Sequence, residues 1–284
     1  MNSPKTSIGV TVGADNYYRP HPAFESSTTY TQGEWSSKLT GLWMGKFETT
    51  EKGTDGKITI RPNTASYVTQ RIGTFYTEAQ DLGIANSHMA KNSEWGAMAY
   101  LTESKYGRNG TAVAQNSTNK ITGQGDYISN KNQSTTNNEY GIYDTVGGAY
   151  EYTAGYVADN SQNYGNSFAS TNPLDSTSNN NKETSTPYAT VYAKASSDSY
   201  SENYTVNINK VFGDGIIETS TSGDGTTSWH SANSNFVGLN YGSRCPFFLR
   251  GGYYNGSNAG SFYFFYYYGS SSGLDNFRLC FAVK

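Results

Sequence analysis

Seven aromatic residues stand in a row from Phe262 to Tyr268, "FYFFYYY". Successive side chains of a strand point to opposite faces, so only alternate members of such a run enter one core. Phe262 and Phe264 are expected to point inward, and Tyr263 and Phe265 outward. Tyr266, Tyr267 and Tyr268 cannot all face a core. The run is followed by the featureless "GSSSG" (269–273). Two arrangements satisfy this pattern: an open aromatic face near the C-terminus, or an aromatic strand buried on both sides and followed by a loop. An open run of this kind is an aggregation hazard, which flanking glycines and strand curvature restrain.

The rest of the chain is polar. Of its 284 residues, 35% are hydrophobic and only 15% charged, against roughly 25% charged in soluble domains. Asn, Ser, Thr and Gly supply the polarity, a composition that suits an extracellular or virion-surface protein. The length fits one large domain or two small ones. No apolar run reaches the ~18 residues of a membrane span. The start, "MNSPKTSIGV", has no signal-peptide pattern; a lost N-terminal anchor is a possibility it leaves open. Net charge is −3 without a basic stripe, which argues against nucleic acid. Cys245 and Cys280 flank the aromatic run. They are either two buried thiols or a disulfide closing a loop of about 35 residues.

Residues 1–33 read as an irregular N-terminal arm and 34–284 as one domain. "GLWMGKFETT" (41–50) alternates like a strand. "TFYTEAQDLG" has helical character and stops at Gly83. "NSEWGAMAYLTESKYG" is the clearest helix, with Asn92 or Ser93 as expected cap and Trp95, Met98, Ala99 and Thr102 on one face. Residues 108–139 form a polar loop. Residues 157–203, nearly all Asn, Ser, Thr, Ala and Tyr, read as a polar, mobile surface insertion. "PFFLRGG" and "NFRLCFAV" read as buried strands on either side of the aromatic run. The fold class is α+β with few short helices, antiparallel strands and long loops.

Three motifs, "NSEWGAMAYL", "NNEYGIYDTVGGAYEY" and "FFLRGGYYNG…NFRL", stand in order. Together they resemble the formylglycine-generating-enzyme (sulfatase-modifying factor) branch of the C-type lectin fold, over roughly residues 40–284. That family's central motif carries Asn and two Trp where this chain has Gly148, Tyr150 and Tyr152. The resemblance implies a C-type lectin-like domain. Its oxidase members hold copper on two cysteines shortly after the R-G-G strand; here no cysteine follows Gly252 until Cys280, so a catalytic oxidase is not expected. The resemblance also implies a structural calcium, held by the side chains of Asp144 and Glu151 and the carbonyls of Gly147 and Ala149. Hard oxygen donors suit that ion, although Glu151 capping backbone amides would need none. No other cofactor is expected.

The chain is also similar to the variable proteins of diversity-generating retroelements, non-enzymatic binders on the same fold. In these an adenine-corrupted copy replaces the C-terminal coding stretch. Corruption of AAC or AAT codons never yields Lys, Glu, Gln, Met or Trp. None of these five occurs in Tyr253–Asn276. The resemblance implies a ligand-binding segment at 253–276, with Tyr253, Tyr254, Asn255, Ser257, Tyr263, Phe265, Tyr266, Tyr267, Tyr268, Ser270, Ser271, Ser272, Asp275 and Asn276 as the varied positions. Tyr offers large area at low entropy cost with a hydrogen-bonding tip. Phe248, Arg250, Gly251, Gly252, Phe277 and Arg278 are the expected frame, with both arginines bonded to backbone carbonyls. The ligand, protein or glycan, is open. The implied setting is a bacterial surface or phage particle, and the expected state a monomer.

Other chemistry is not visible. His21, His88 and His230 show no metal-ligand spacing, and no nucleophile elbow or phosphate loop occurs. A structural adhesin or phage tail component with a fixed aromatic interface, and a degenerate enzyme on the same fold, remain alternatives.

Overall fold

A computed structural model describes residues 21–29, 33–158, 187–193, 211, 213–216, 236–237, 247–256, 259–267 and 272–284. The architecture is mixed α+β. Among the described residues, two α-helices and two sheets carry it. Helix α1 (Ile72–Gln80) buries Ile72, Phe75, Tyr76 and Ala79, a stripe at i, i+3, i+4 and i+7. The chain leaves it through Gly83, whose φ of 74° suits glycine. Helix α2 (Asn92–Glu103) repeats the spacing with Trp95, Met98, Ala99 and Thr102, all buried as the sequence indicated.

The N-cap of α2 is Lys91, one residue before the expected pair. Glu94 reaches back to accept from the Lys91 N–H at 2.9 Å, which satisfies one of the helix's open donors. Asn92 and Ser93 are used elsewhere. Asn92 donates to the Tyr192 hydroxyl and accepts from Thr153, and Ser93 donates to the Gly33 carbonyl.

The smaller sheet has the order β1–β9–β2, antiparallel throughout, from β1 (Gly41–Met44), β2 (Ser87–Met89) and β9 (Leu279–Val283). The expected alternation ends just past Met44: Gly45 still bonds the Leu279 carbonyl along β9, and the chain then bends at Lys46 and Phe47; Trp43 is left 70% exposed while Phe47 is buried. The larger sheet runs β4–β3–β6–β7–β5, from β3 (Tyr150–Ala158), β4 (Thr190–Ala193), β5 (Phe236–Val237), β6 (Phe247–Gly251) and β7 (Gly260–Tyr267). Strand β8 (Asp275–Phe277) pairs parallel with β3 at Tyr150–Tyr152, and β4 pairs parallel further along at Gly155–Ala158. The stretch read as a surface insertion therefore contributes one strand. "TVYA" has the β-branched and aromatic character to fill a sheet edge.

The main core lies between α1 and this sheet, with Phe75, Tyr152, Phe247, Leu249 and Phe277 at its centre. Trp95, Met98 and Phe262 join α2 to β7, and the Trp95 indole donates to the Ser261 carbonyl at 2.8 Å. Within the expected arm, Pro22–Phe24 form a 3-10 turn with Ala23 fully buried. Burial lowers the His21 pKa to about 4, while its ring contacts the Gly213 carbonyl. Among the described residues no helix is long and apolar enough to cross a membrane.

Candidate functional site

The "RGG" and "NFR" motifs close around one region. Arg250, wholly buried, donates to the carbonyl of Asp214 at 3.0 Å and of Gly215 at 3.4 Å. Arg278, equally buried, donates to the carbonyls of Gly45 at 2.8 Å and Tyr143 at 2.9 Å. Both make the expected buried bonds to backbone carbonyls. Arg278 does more: it also forms a two-pronged ion pair with Glu151, Nε to Oε2 at 2.9 Å and Nη2 to Oε1.

Glu151 belongs to a buried group of carboxylates with Asp144 and Glu48. Asp144, at φ 60°, accepts from the Asn116 amide and the Gly123 N–H. Glu48 accepts from the Ala149 N–H at 2.8 Å and from the Ser66 hydroxyl. Burial pushes all three carboxyls above their usual range, and Glu48 also faces the charges of the other two. The carboxylates of the expected calcium ligands are hydrogen-bonded within the protein. Both Glu151 oxygens are occupied by Arg278, both Asp144 oxygens by N–H donors, and the guanidinium supplies the positive charge. The same packing accounts for Gly148, where the related motif carries Asn. At φ 74°, a Cβ there would lie 2.5 Å from Glu48 Oε1. Glu48 was not legible in the sequence, since nothing in "KFETTE" distinguishes it from a surface carboxylate.

After β6 the chain turns at Gly251 and Gly252, both at φ 80°, a conformation glycine adopts without strain. Tyr253 and Tyr254 are half-buried and Asn255 is exposed. This turn is gripped through its backbone. The Gln115 side-chain amide donates to the carbonyls of Tyr253 at 3.0 Å, Tyr254 at 3.3 Å and Gly256 at 3.0 Å. The Tyr254 N–H bonds the Gly148 carbonyl. The rings form a continuous surface: Tyr150 lies 4.9 Å from Tyr253, and stacks on Tyr263 at 6.1 Å and on Phe265 at 6.3 Å.

Strand β7 sorts its side chains by period two, with Phe262 packed on Tyr100 and the Trp95 cluster and Phe264 over the Arg250 guanidinium. Tyr263 departs from expectation: it is buried, because Tyr150 and Tyr253 cover the second face, and burial raises its pKa. Phe265 is half-buried. Asp275 and Asn276, expected on the varied surface, are buried in β8. Asn276 is committed on all sides, accepting from the Thr49 N–H and hydroxyl and donating to the carbonyls of Thr49 and Tyr67. Asp275 has its pKa raised to about 7 by burial, and its Oδ2 has no bonding partner among the described residues. Ser272 is half-buried, its carbonyl accepting from the Thr69 N–H. Ser257, Tyr268, Ser270, Ser271 and Cys245 lie outside the described residues, as do the side chains of Tyr266 and Tyr267. Cys280 is a buried free thiol.

No protein-family model matches the chain, and no curated protein is detectably similar to it in sequence.

Proposed function

We propose that this chain is a non-catalytic ligand-binding protein with a C-type lectin-like frame of the formylglycine-generating-enzyme type. In this reading the segment after Gly252 is a diversified binding surface, displayed on a bacterial cell or phage particle. One observation carries the proposal: the turn at Tyr253–Gly256 is held by contacts to its carbonyls and N–H groups, from Gln115 and Gly148. The backbone of the turn is therefore fixed independently of its side chains: Asn255 is exposed, and Tyr253 and Tyr254 are half-buried, with Tyr253 packed on Tyr150. The arginines and asparagine on either side hold the frame by buried bonds. The absence of Lys, Glu, Gln, Met and Trp from Tyr253–Asn276 fits adenine-directed variation.

Tyr263, Asp275 and Asn276 then belong to the frame. The described part of the binding face narrows to Tyr253, Tyr254, Asn255 and Phe265, beside Tyr150. An aromatic face flanked by polar groups suits either a protein or a glycan ligand.

The test is a display library randomised at 253, 254 and 255, sorted for folding and then against glycan and cell-surface-protein arrays. Most members should fold, and sorted clones should differ in what they bind. A library that folds only with aromatic residues at 253 and 254 would sink the reading. So would a gene with no nearby near-copy of this stretch differing at adenines. Stable self-association through these rings in ultracentrifugation would favour a fixed assembly interface instead.

A further inference from the structure

His88 and Cys280 are direct cross-strand partners on β2 and β9, so their side chains leave the sheet on the same face. Glu94, in the first turn of α2, points at the same spot. All three are fully buried, and one donor atom from each lies within 4.8 Å of the others. They share a zone with no described role in binding.

The hydrogen-bond inventory makes this spot unusual. His88 Nδ1 lies 2.7 Å from the Asn86 carbonyl. A carbonyl only accepts, so Nδ1 carries the hydrogen. Nε2 then faces both Glu94 oxygens, at 3.0 and 2.9 Å, and these are acceptors too. At these distances the imidazole and the carboxylate are placed for a direct hydrogen bond or for shared ligation of one ion. The neighbouring Lys91 ammonium does not fill that place. It is 3.8 Å from Glu94 Oε1 and is directed at the carbonyls of Gly33 and Glu34. A proton on Nε2 would join His88 to Glu94 alone, with the Cys280 sulfur packed beside them as a small apolar group. A metal ion would use all three.

We propose that His88 Nε2, a Glu94 carboxylate oxygen and Cys280 Sγ form a zinc-binding site that pins β2, α2 and β9 together. The mix of nitrogen, oxygen and thiolate sulfur is a zinc donor set and a poor one for calcium or magnesium. The Nδ1–H bond to a backbone carbonyl is the outer contact that orients a ligating imidazole. Zinc with one carboxylate and one thiolate is itself neutral, and the nearby Lys91 ammonium keeps its bonds to the Gly33 and Glu34 carbonyls and its place over the Trp35 ring. On binding, the thiol proton leaves to solvent as the zinc–sulfur bond forms. Ligands at ordinary zinc distances sit closer together than 4.8 Å, so Cys280 closes in slightly while His88 and Glu94 are already adjacent. The fourth tetrahedral position is left to a water.

The test uses the full chain expressed in zinc-supplemented medium, desalted, and assayed for metal. The stripped protein is then titrated with cobalt(II). The expected result is about one zinc per chain and a thiolate-to-cobalt charge-transfer band. The band should survive Cys245→Ser and vanish in Cys280→Ser. His88→Gln should weaken binding by at least ~10-fold, the scale of losing a ligand or its support. Less than about a tenth of an equivalent of zinc with no cobalt band would overturn the site. So would a band unchanged by Cys280→Ser. The wild-type and Cys245→Ser results decide the matter even if Cys280→Ser does not fold.

Discussion

Arg278→Met is the substitution most informative about the frame. It removes a buried guanidinium that bonds both Glu151 oxygens and the carbonyls of Gly45 and Tyr143. Met keeps much of the volume, so the loss is electrostatic. Breaking a buried pair by removing one partner costs about 3–5 kcal/mol, because the other charge stays behind. Each orphaned carbonyl adds about 1 kcal/mol or more. The sum, about 5–7 kcal/mol at pH 8, approaches the whole stability of a typical domain. The penalty should depend on pH with a definite sign. Burial already raises the Glu151 pKa and Arg278 opposes the rise; without the arginine it rises further. A carboxyl with a raised folded-state pKa contributes stability at low pH that is lost as pH climbs through that value. At pH 5 Glu151 in the variant is neutral, and the penalty should fall to about 2 kcal/mol, the cost of the lost hydrogen bonds. The double variant Glu151→Leu/Arg278→Met should recover at least about half of the loss at pH 8, since no bare charge remains. Urea unfolding followed by the fluorescence of the four tryptophans reads all three proteins at both pH values. A loss below about 1 kcal/mol at pH 8 would refute the argument, as would an equal loss at pH 5 or a double variant no better than the single.

Further expectations follow from neighbouring residues. Gly148→Ala should lower stability by at least ~1–2 kcal/mol for the left-handed backbone alone, and more from the clash with Glu48 Oε1; differential scanning fluorimetry measures it. Asp275, with its pKa raised to about 7, should make the wild type lose stability as pH rises from 4 to 8, by up to roughly 4 kcal/mol at ~1.4 kcal/mol per unit. Asp275→Asn should flatten that slope, read as melting temperature against pH. Phe262→Ala, which empties the contact between β7 and α2, should cost about 3–5 kcal/mol. Asn255→Ala, on the exposed turn, should stay within about 0.5 kcal/mol in the same urea titration.

Much of the frame was legible because it depends on local periodicity. The stripes Ile72–Phe75–Tyr76–Ala79 and Trp95–Met98–Ala99–Thr102 each define a helix whichever partner they meet. "FFLRG" and "LCFAV" announce strands in the same way. Arginines set among apolar residues implied buried carbonyl partners, and both have them. What misled was the assumption that a composition like that of a varied loop marks a surface. Asp275 and Asn276 look identical to loop residues, yet β8 inserts them beside β3 and Thr49.

Local spacing along this chain thus determines two amphipathic helices, the aromatic strand and the glycine turn after Arg250, since each rests on residues a few positions apart. Tertiary structure alone decides that Glu48 forbids a side chain at 148, that Arg278 neutralises Glu151, that Tyr150 covers Tyr263, and that His88, Glu94 and Cys280 meet. Those relations depend on distances between side chains far apart in sequence, and charge, burial and ring contact act through space.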